Sequence, residues 1–232
     1  MRADRRSQAQ RTHRLDTAYD AVLFDLDGVV TNTAAIHAAA WKQLFDEVLR
    51  DSRVHVDDPQ NTFDPVADYR RYVDGRSRED GVARYLAARG VRLDAGQSDD
   101  PPSAWTIAGI AARKNALFLA ELRTRGLRVY PGTAALLRRL RDAAVPAGLV
   151  TASRNAQQLL NTAGLTGAFD TVVDGQTALT HHLQGKPYPD MFAEAARRLG
   201  VPPARIAIVE DSVAGVEAGQ RGGFGLVVGI DR

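Results

Sequence analysis

From residue 130 onward the chain alternates short apolar runs with amphipathic segments, and each apolar run stops at a polar residue. Residues 133–143 read as a helix opened by Pro131-Gly132, 146–150 as a strand, 155–163 as a helix closed by Gly164, and 171–173 as a short strand. A helix at 189–199 closed by Gly200, a strand at 206–209, a helix at 213–220 and a strand at 224–228 follow. Upstream, Ala21, Val22, Leu23 and Phe24 repeat the strand pattern and end in Asp25-Leu26-Asp27-Gly28. Continuous apolar strands alternating with helices predict a doubly wound parallel sheet of the α/β class, buried on both faces. Ligands of such a sheet gather at the carboxyl ends of its strands.

The interval between the first strand and this series has a different texture. Residues 34–49 place Ile36, Ala40, Leu44 and Val48 at helical spacing. Residues 51–65 are polar and proline-bearing, a loop; 68–90 read as helical pieces around a turn at Asp74 and Gly75. A second polar loop at 96–102 precedes an amphipathic helix at 107–122. A helical cap over 33–125 is therefore expected, inserted into a catalytic core formed by 17–32 and 126–232.

Charge narrows the partners. Residues 1–16 hold five arginines against Asp4 and Asp16, a net of +3, so residues 17–232 sum to about −1 of the chain's +2. The basicity lies in a polar tail that reads as disordered, and the remainder has no basic bias toward nucleic acid. No apolar run approaches the roughly 18 residues that span a bilayer. The absence of cysteine fits a reducing cytoplasm. Of 30 basic residues only Lys42, Lys114 and Lys186 are lysine, which marks them as places where a compact ammonium is needed.

Asp25 and Asp27, Thr151 and Ser153, and Glu210 and Asp211 all directly follow apolar strand runs, and Lys186 precedes a helix near the same edge. Each has a plain alternative. Asp25 to Gly28 resembles a turn or calcium-type loop, Thr151 and the Glu210-Asp211-Ser212 stretch could be helix caps, and Lys186 a solvated side chain. What the alternatives leave unexplained is their convergence on one sheet edge. Carboxylates without histidine or cysteine partners suit a hard cation such as Mg²⁺. An ionised carboxylate can attack phosphorus, while a hydroxyl and an ammonium hold the phosphoryl oxygens. Asp27 is placed to act as general acid and base.

These motifs, Phe24 to Val30, Val150 to Asn155, Gly185 to Asp190 and Val209 to Ser212 with its downstream Ala214-Gly215, resemble those of the haloacid dehalogenase superfamily, β-phosphoglucomutase branch. The resemblance covers about residues 18–230. It implies a Rossmann-like core in which Asp25 is nucleophile, Asp27 general acid and base, and Thr151 and Lys186 bind the transferring phosphate. Magnesium would be held by Asp25, the Asp27 carbonyl, Glu210 and Asp211. In the cap, Thr33 and His37 would couple closure to positioning of the base; the alternatives are a helix N-cap and an exposed helical residue. Gly75, Arg78 and Lys114 would grip the sugar phosphate, and Ser153, Arg154 and Asn155 would complete the distal phosphate site. Trp41 belongs to the cap core.

The resemblance implies interconversion of β-D-glucose 1-phosphate and glucose 6-phosphate through a β-glucose 1,6-bisphosphate, by a cytoplasmic monomer or weak dimer. A sugar-phosphate phosphatase is the alternative within the superfamily. A dehalogenase is disfavoured by Asp27, Lys186 and Asp211, and a phospho-accepting receiver domain by the large helical insertion. The chain departs from the mutase pattern at Asp74, where that pattern has lysine, and in apparent cap insertions near 50–68 and 94–106. The pattern also leads one to expect a further strand and helix after residue 232.

Overall fold

The computed structural model describes residues 18–54 and 62–231; the basic tail and part of the first cap loop lie outside them. Five parallel strands form one sheet in the order β3 (Thr171–Val173), β2 (Ala147–Val150), β1 (Ala21–Phe24), β4 (Ile206–Glu210) and β5 (Leu226–Gly229). The first strand is central because it is apolar along its whole length. Phe24 is in register with Leu149 on one side and Val209 on the other. Asp25, Thr151 and Asp211 consequently leave the sheet along a single edge.

Helices cover both faces. On one, Phe24 and Leu149 pack with residues of α4 (Pro131–Asp142) and α5 (Ala156–Thr162). On the other, Leu23 and Ile208 pack with α7 (Asp190–Leu199) and with Ala218 of α8 (Val213–Arg221). This double winding matches the expected fold class.

Between β1 and β2 the chain inserts α1 (Ala34–Leu49), a π-helical turn (Tyr69–Val73), α2 (Arg78–Ala87) and α3 (Ile107–Arg125). Leu44, Phe45, Val48, Val82, Tyr85 and Ile110 form a second apolar core, separate from the sheet. Fully burying a large apolar side chain contributes about 1.5–3 kcal/mol, so this core can sustain a cap. The predicted stripe Ile36, Ala40, Leu44 and Val48 is buried throughout. Its lower half joins the sheet core and its upper half the cap core. Helices α1 and α3 thereby tie the two together.

Several boundaries differ from expectation for local reasons. Pro146 lies just outside β2; its carbonyl accepts from Val22 N at 3.0 Å, but it has no N–H to pair in return. Phe224 turns inward to pack edge-on against Phe192 at 5.8 Å, so β5 begins only at Leu226. A short helix, α6 (Gly175–Thr180), has no counterpart in the apolar pattern. Its signal was Asp174, which caps it by accepting from Thr177 N at 2.8 Å.

Candidate active site

Asp25 follows β1 directly, and its backbone N–H is tied to the Val209 carbonyl at 3.0 Å. Lys186, 2% exposed, reaches across from the loop before α7. Its Nζ donates to Asp25 Oδ1 at 2.5 Å and to Glu210 Oε1. Burial works against this ammonium, but the two carboxylates outweigh it and hold Lys186 charged, above its ordinary range. Lys186 is thus no solvated side chain.

Glu210 is tied into its own loop. Its Oε2 accepts from the backbone N–H groups of Asp211 and Ser212 at 2.8 and 2.7 Å, and from Ser212 Oγ at 3.0 Å. With Lys186 on the other oxygen, this carboxylate anchors the loop. Ser212 is the residue that caps α8, accepting from Gly215 N at 3.0 Å. Asp211 is left to point inward. A Cβ on Gly28, whose φ is +89°, would stand 1.7 Å from Asp211 Oδ2. The turn after Asp27 therefore requires glycine for both its conformation and its contact with Asp211.

Asp27 is held from the cap side. Thr33 occupies the N-cap position of α1 but makes no capping hydrogen bond; its Oγ1 donates to Asp27 Oδ1. His37, one turn on, brings Nε2 to 3.3 Å from the same oxygen without completing a hydrogen bond. Its ring stacks on Phe118, with centroids 4.0 Å apart, and its Nδ1 meets Lys114 Nζ at 2.5 Å. When Lys114 is protonated it can only donate, so Nδ1 then accepts and the ring proton is left on Nε2, the nitrogen nearer Asp27. Burial and Lys114 hold His37 below its ordinary pKa. Burial opposes ionisation of Asp27, yet His37, Thr33 and Lys114 outweigh it and keep its pKa low.

Lys114 is 1% exposed and lies 4.8 Å over the Trp41 ring. Burial and nearby Arg78 push it down to about 7. Trp41 is buried in the cap core as expected, but it also lines the cavity. Lys42 does neither; it pairs with Asp46 at 2.9 Å on the surface, so lysine scarcity marked two of three sites.

The cavity is bounded by Asp25, Asp27, Thr151 and Asp211 from the core and by Arg78 and Lys114 from the cap. Gly75, φ +69°, seats the cap loop on the acidic loop, where a Cβ would lie 2.3 Å from Ser212 Oγ. Thr151 is not a helix cap; its Oγ1 accepts from Ser153 N at 3.1 Å. Ser153 and Asn155 also line the cavity, and Asn155 Nδ2 donates to Asn115 of α3 at 2.8 Å. Arg154 does not line this cavity. Its guanidinium pairs with Glu79 of α2 at 2.9 Å and lines a neighbouring cleft.

The donor chemistry fits a hard divalent cation. Asp25 is lifted well above the ordinary carboxylate range by burial and by Glu210, Asp211 and Asp27, against the pull of Lys186. Burial and Glu210 push Asp211 up to about 8. Such crowding of oxygen donors is what a magnesium ion relieves. Among the described residues, no three acidic or histidine side chains are already arranged as ligands.

Residues 19–223 match the family model for haloacid dehalogenase-like hydrolases. The chain belongs to that family. It is 42% identical over 212 residues to a β-phosphoglucomutase of Mycobacterium tuberculosis, covering 91% of this chain and 81% of the relative. Among solved structures it resembles a β-phosphoglucomutase of Clostridium difficile, with TM-score 0.70, 25% identity, and coverage of 90% and 84%. A mutant of CbbY from Rhodobacter sphaeroides, in complex with xylulose-(1,5)bisphosphate, matches with TM-score 0.67 and 26% identity, covering 90% and 85%. As a haloacid dehalogenase relative of this branch, the chain is an enzyme of the aspartate-nucleophile kind.

Tyr69, Arg76 and Ser212 line the cavity without having been candidate site residues. Asp74 was noticed only as a departure. Burial and Glu210 lift it to about 7, because the loop carrying it rests on residues 210–212. Nothing local in the sequence signals that contact.

Proposed function

We propose that this chain is a β-phosphoglucomutase, interconverting β-D-glucose 1-phosphate and glucose 6-phosphate through a phosphorylated Asp25. The observation that carries this reading is the hydrogen bond from Thr33 to Asp27, with His37 Nε2 3.3 Å from the same oxygen. Both belong to the start of α1, so the acid–base group is in place only when the cap helix is. Such coupling favours a sugar hydroxyl over water as the acceptor. Residues 33–125 are read as that cap.

Asp25 attacks the phosphorus, forming an O–P bond as the bond to the departing sugar oxygen breaks. Thr151 and Lys186 hold phosphoryl oxygens as charge shifts from nucleophile to leaving group. Magnesium, when bound, offsets the repulsion between the carboxylate and the anionic substrate. Asp25, the Asp27 carbonyl, Glu210 and Asp211 would hold it. Asp27, ionised in the empty cavity, takes the proton of the attacking sugar hydroxyl in one half-reaction and returns it to the leaving oxygen in the other. Arg78 and Lys114 face the opposite end of the sugar, where its second phosphate would lie.

A coupled assay for glucose 6-phosphate from β-glucose 1-phosphate, with bisphosphate primer and Mg²⁺, tests this. Isomerisation faster than phosphate release is expected; phosphate release without isomerisation would make the chain a sugar-phosphate phosphatase.

A further inference from the structure

The cap loop over residues 74–78 carries Asp74, Arg76 and Arg78 in alternate positions around Gly75 and Ser77. Both Asp74 and Arg76 line the catalytic cavity. Asp74 therefore adds a carboxylate to a wall that must receive an anionic substrate, and Arg78 and Lys114 alone would have to offset it. Arg76 changes that balance. Its side chain is 14% exposed, and its Nη1 donates to Asp80 Oδ2 at 3.0 Å. Asp80 also receives Arg84 Nε, at 2.9 Å to both of its oxygens, so this partner is shared. A guanidinium presents five N–H donors in a rigid fork, and the bond to Asp80 uses one nitrogen of it. Arg76 also lines the neighbouring cleft with Arg154, which places its charge at the passage between the two spaces.

We infer that Arg76 is a specificity-determining residue that binds the non-transferring phosphate and selects sugar bisphosphates over monophosphates. The inference rests on the sugar-phosphate reading above and adds to it a second cap guanidinium. A planar fork held from behind by one carboxylate is the arrangement that meets a phosphate bidentately. Asp80 fixes the side chain, and the loop seated on Ser212 by Gly75 fixes its backbone.

Binding is measured by calorimetry in an Asp25→Asn background with Mg²⁺, where no phosphoryl group can transfer to residue 25. The probes are glucose 1,6-bisphosphate and glucose 6-phosphate. Arg76→Ala is expected to cut the preference for the bisphosphate about tenfold, the scale of one charge-assisted contact. Arg76→Lys should keep part of it, and Arg84→Ala, on the same Asp80, should leave it unchanged. An unaltered ratio in Arg76→Ala, including no preference in either protein, overturns the assignment. So does an equal loss in Arg84→Ala, which would mean that Arg76 acts only through the Asp80 network. Isomerisation by the unsubstituted chain is scored separately; its failure contradicts the mutase reading, while the ratio alone decides Arg76.

Discussion

Thr33 stands where a helix cap belongs and gives its hydroxyl to Asp27 instead. The start of α1 thereby forgoes a capping bond, and the Asp27 carboxylate gains a fixed donor. Thr33 is itself held by Thr31 Oγ1 at 2.8 Å, inside a fully buried pocket.

Thr33→Val is expected to lower kcat about 10- to 100-fold with little change in KM, since a hydrogen bond to a charged group contributes about 1.5–3 kcal/mol. Helix stability should hardly change, because no cap is lost. Steady-state kinetics read beside thermal melting check both halves. A large fall in melting temperature would point to a structural role.

Lys114 gives the fold a pH dependence. Its pKa is about 7 in the folded chain against 10.5 for the free side chain. Between these values the unfolded chain binds the proton and the folded one does not, so this residue makes stability rise with pH across that window. Below about pH 7 the penalty is fully present, on the order of a few kcal/mol. Lys114→Met should therefore melt higher than the unsubstituted protein at pH 6 and lose that advantage as pH rises toward 10, while activity falls. A melting difference independent of pH would refute this.

Gly28→Ala tests the turn beneath Asp211. Both the positive φ and the missing space oppose a side chain there. A loss of about 1–3 kcal/mol is expected from backbone strain, with activity lost beyond what the stability change explains. Denaturant titration and kinetics of the folded fraction separate the two.

Crowded carboxylates predict that Mg²⁺ stabilises the free enzyme. Melting temperature should rise with millimolar Mg²⁺ as mass action dictates, and Asp211→Asn should abolish most of that rise. Glu210→Gln should instead destabilise the protein with or without the ion, because Glu210 is bound to Lys186 and the loop backbone.

The sheet was legible because its strands are apolar runs that stop at polar residues, and parallel pairing alone carries Asp25, Thr151 and Asp211 to one edge. The stripe on α1 was legible for the same reason, since periodicity records which side faces a core. What escaped were contacts between segments distant in sequence. Asp74 meets the acidic loop only because the cap folds back over it, and Glu210 gains its ion pair only because Lys186 arrives from 24 residues away. Arg154 was placed by motif beside Ser153 and Asn155, yet Glu79 of the cap draws it outward.

The claim that Asp25 takes the phosphoryl group is tested most directly by trapping it. The enzyme is mixed with labelled glucose 1,6-bisphosphate and Mg²⁺, quenched in acid within one turnover, and digested for peptide mapping. Label on the peptide bearing Asp25, absent from Asp25→Asn, is the predicted result. Label on another residue, or undiminished labelling of Asp25→Asn, would contradict it.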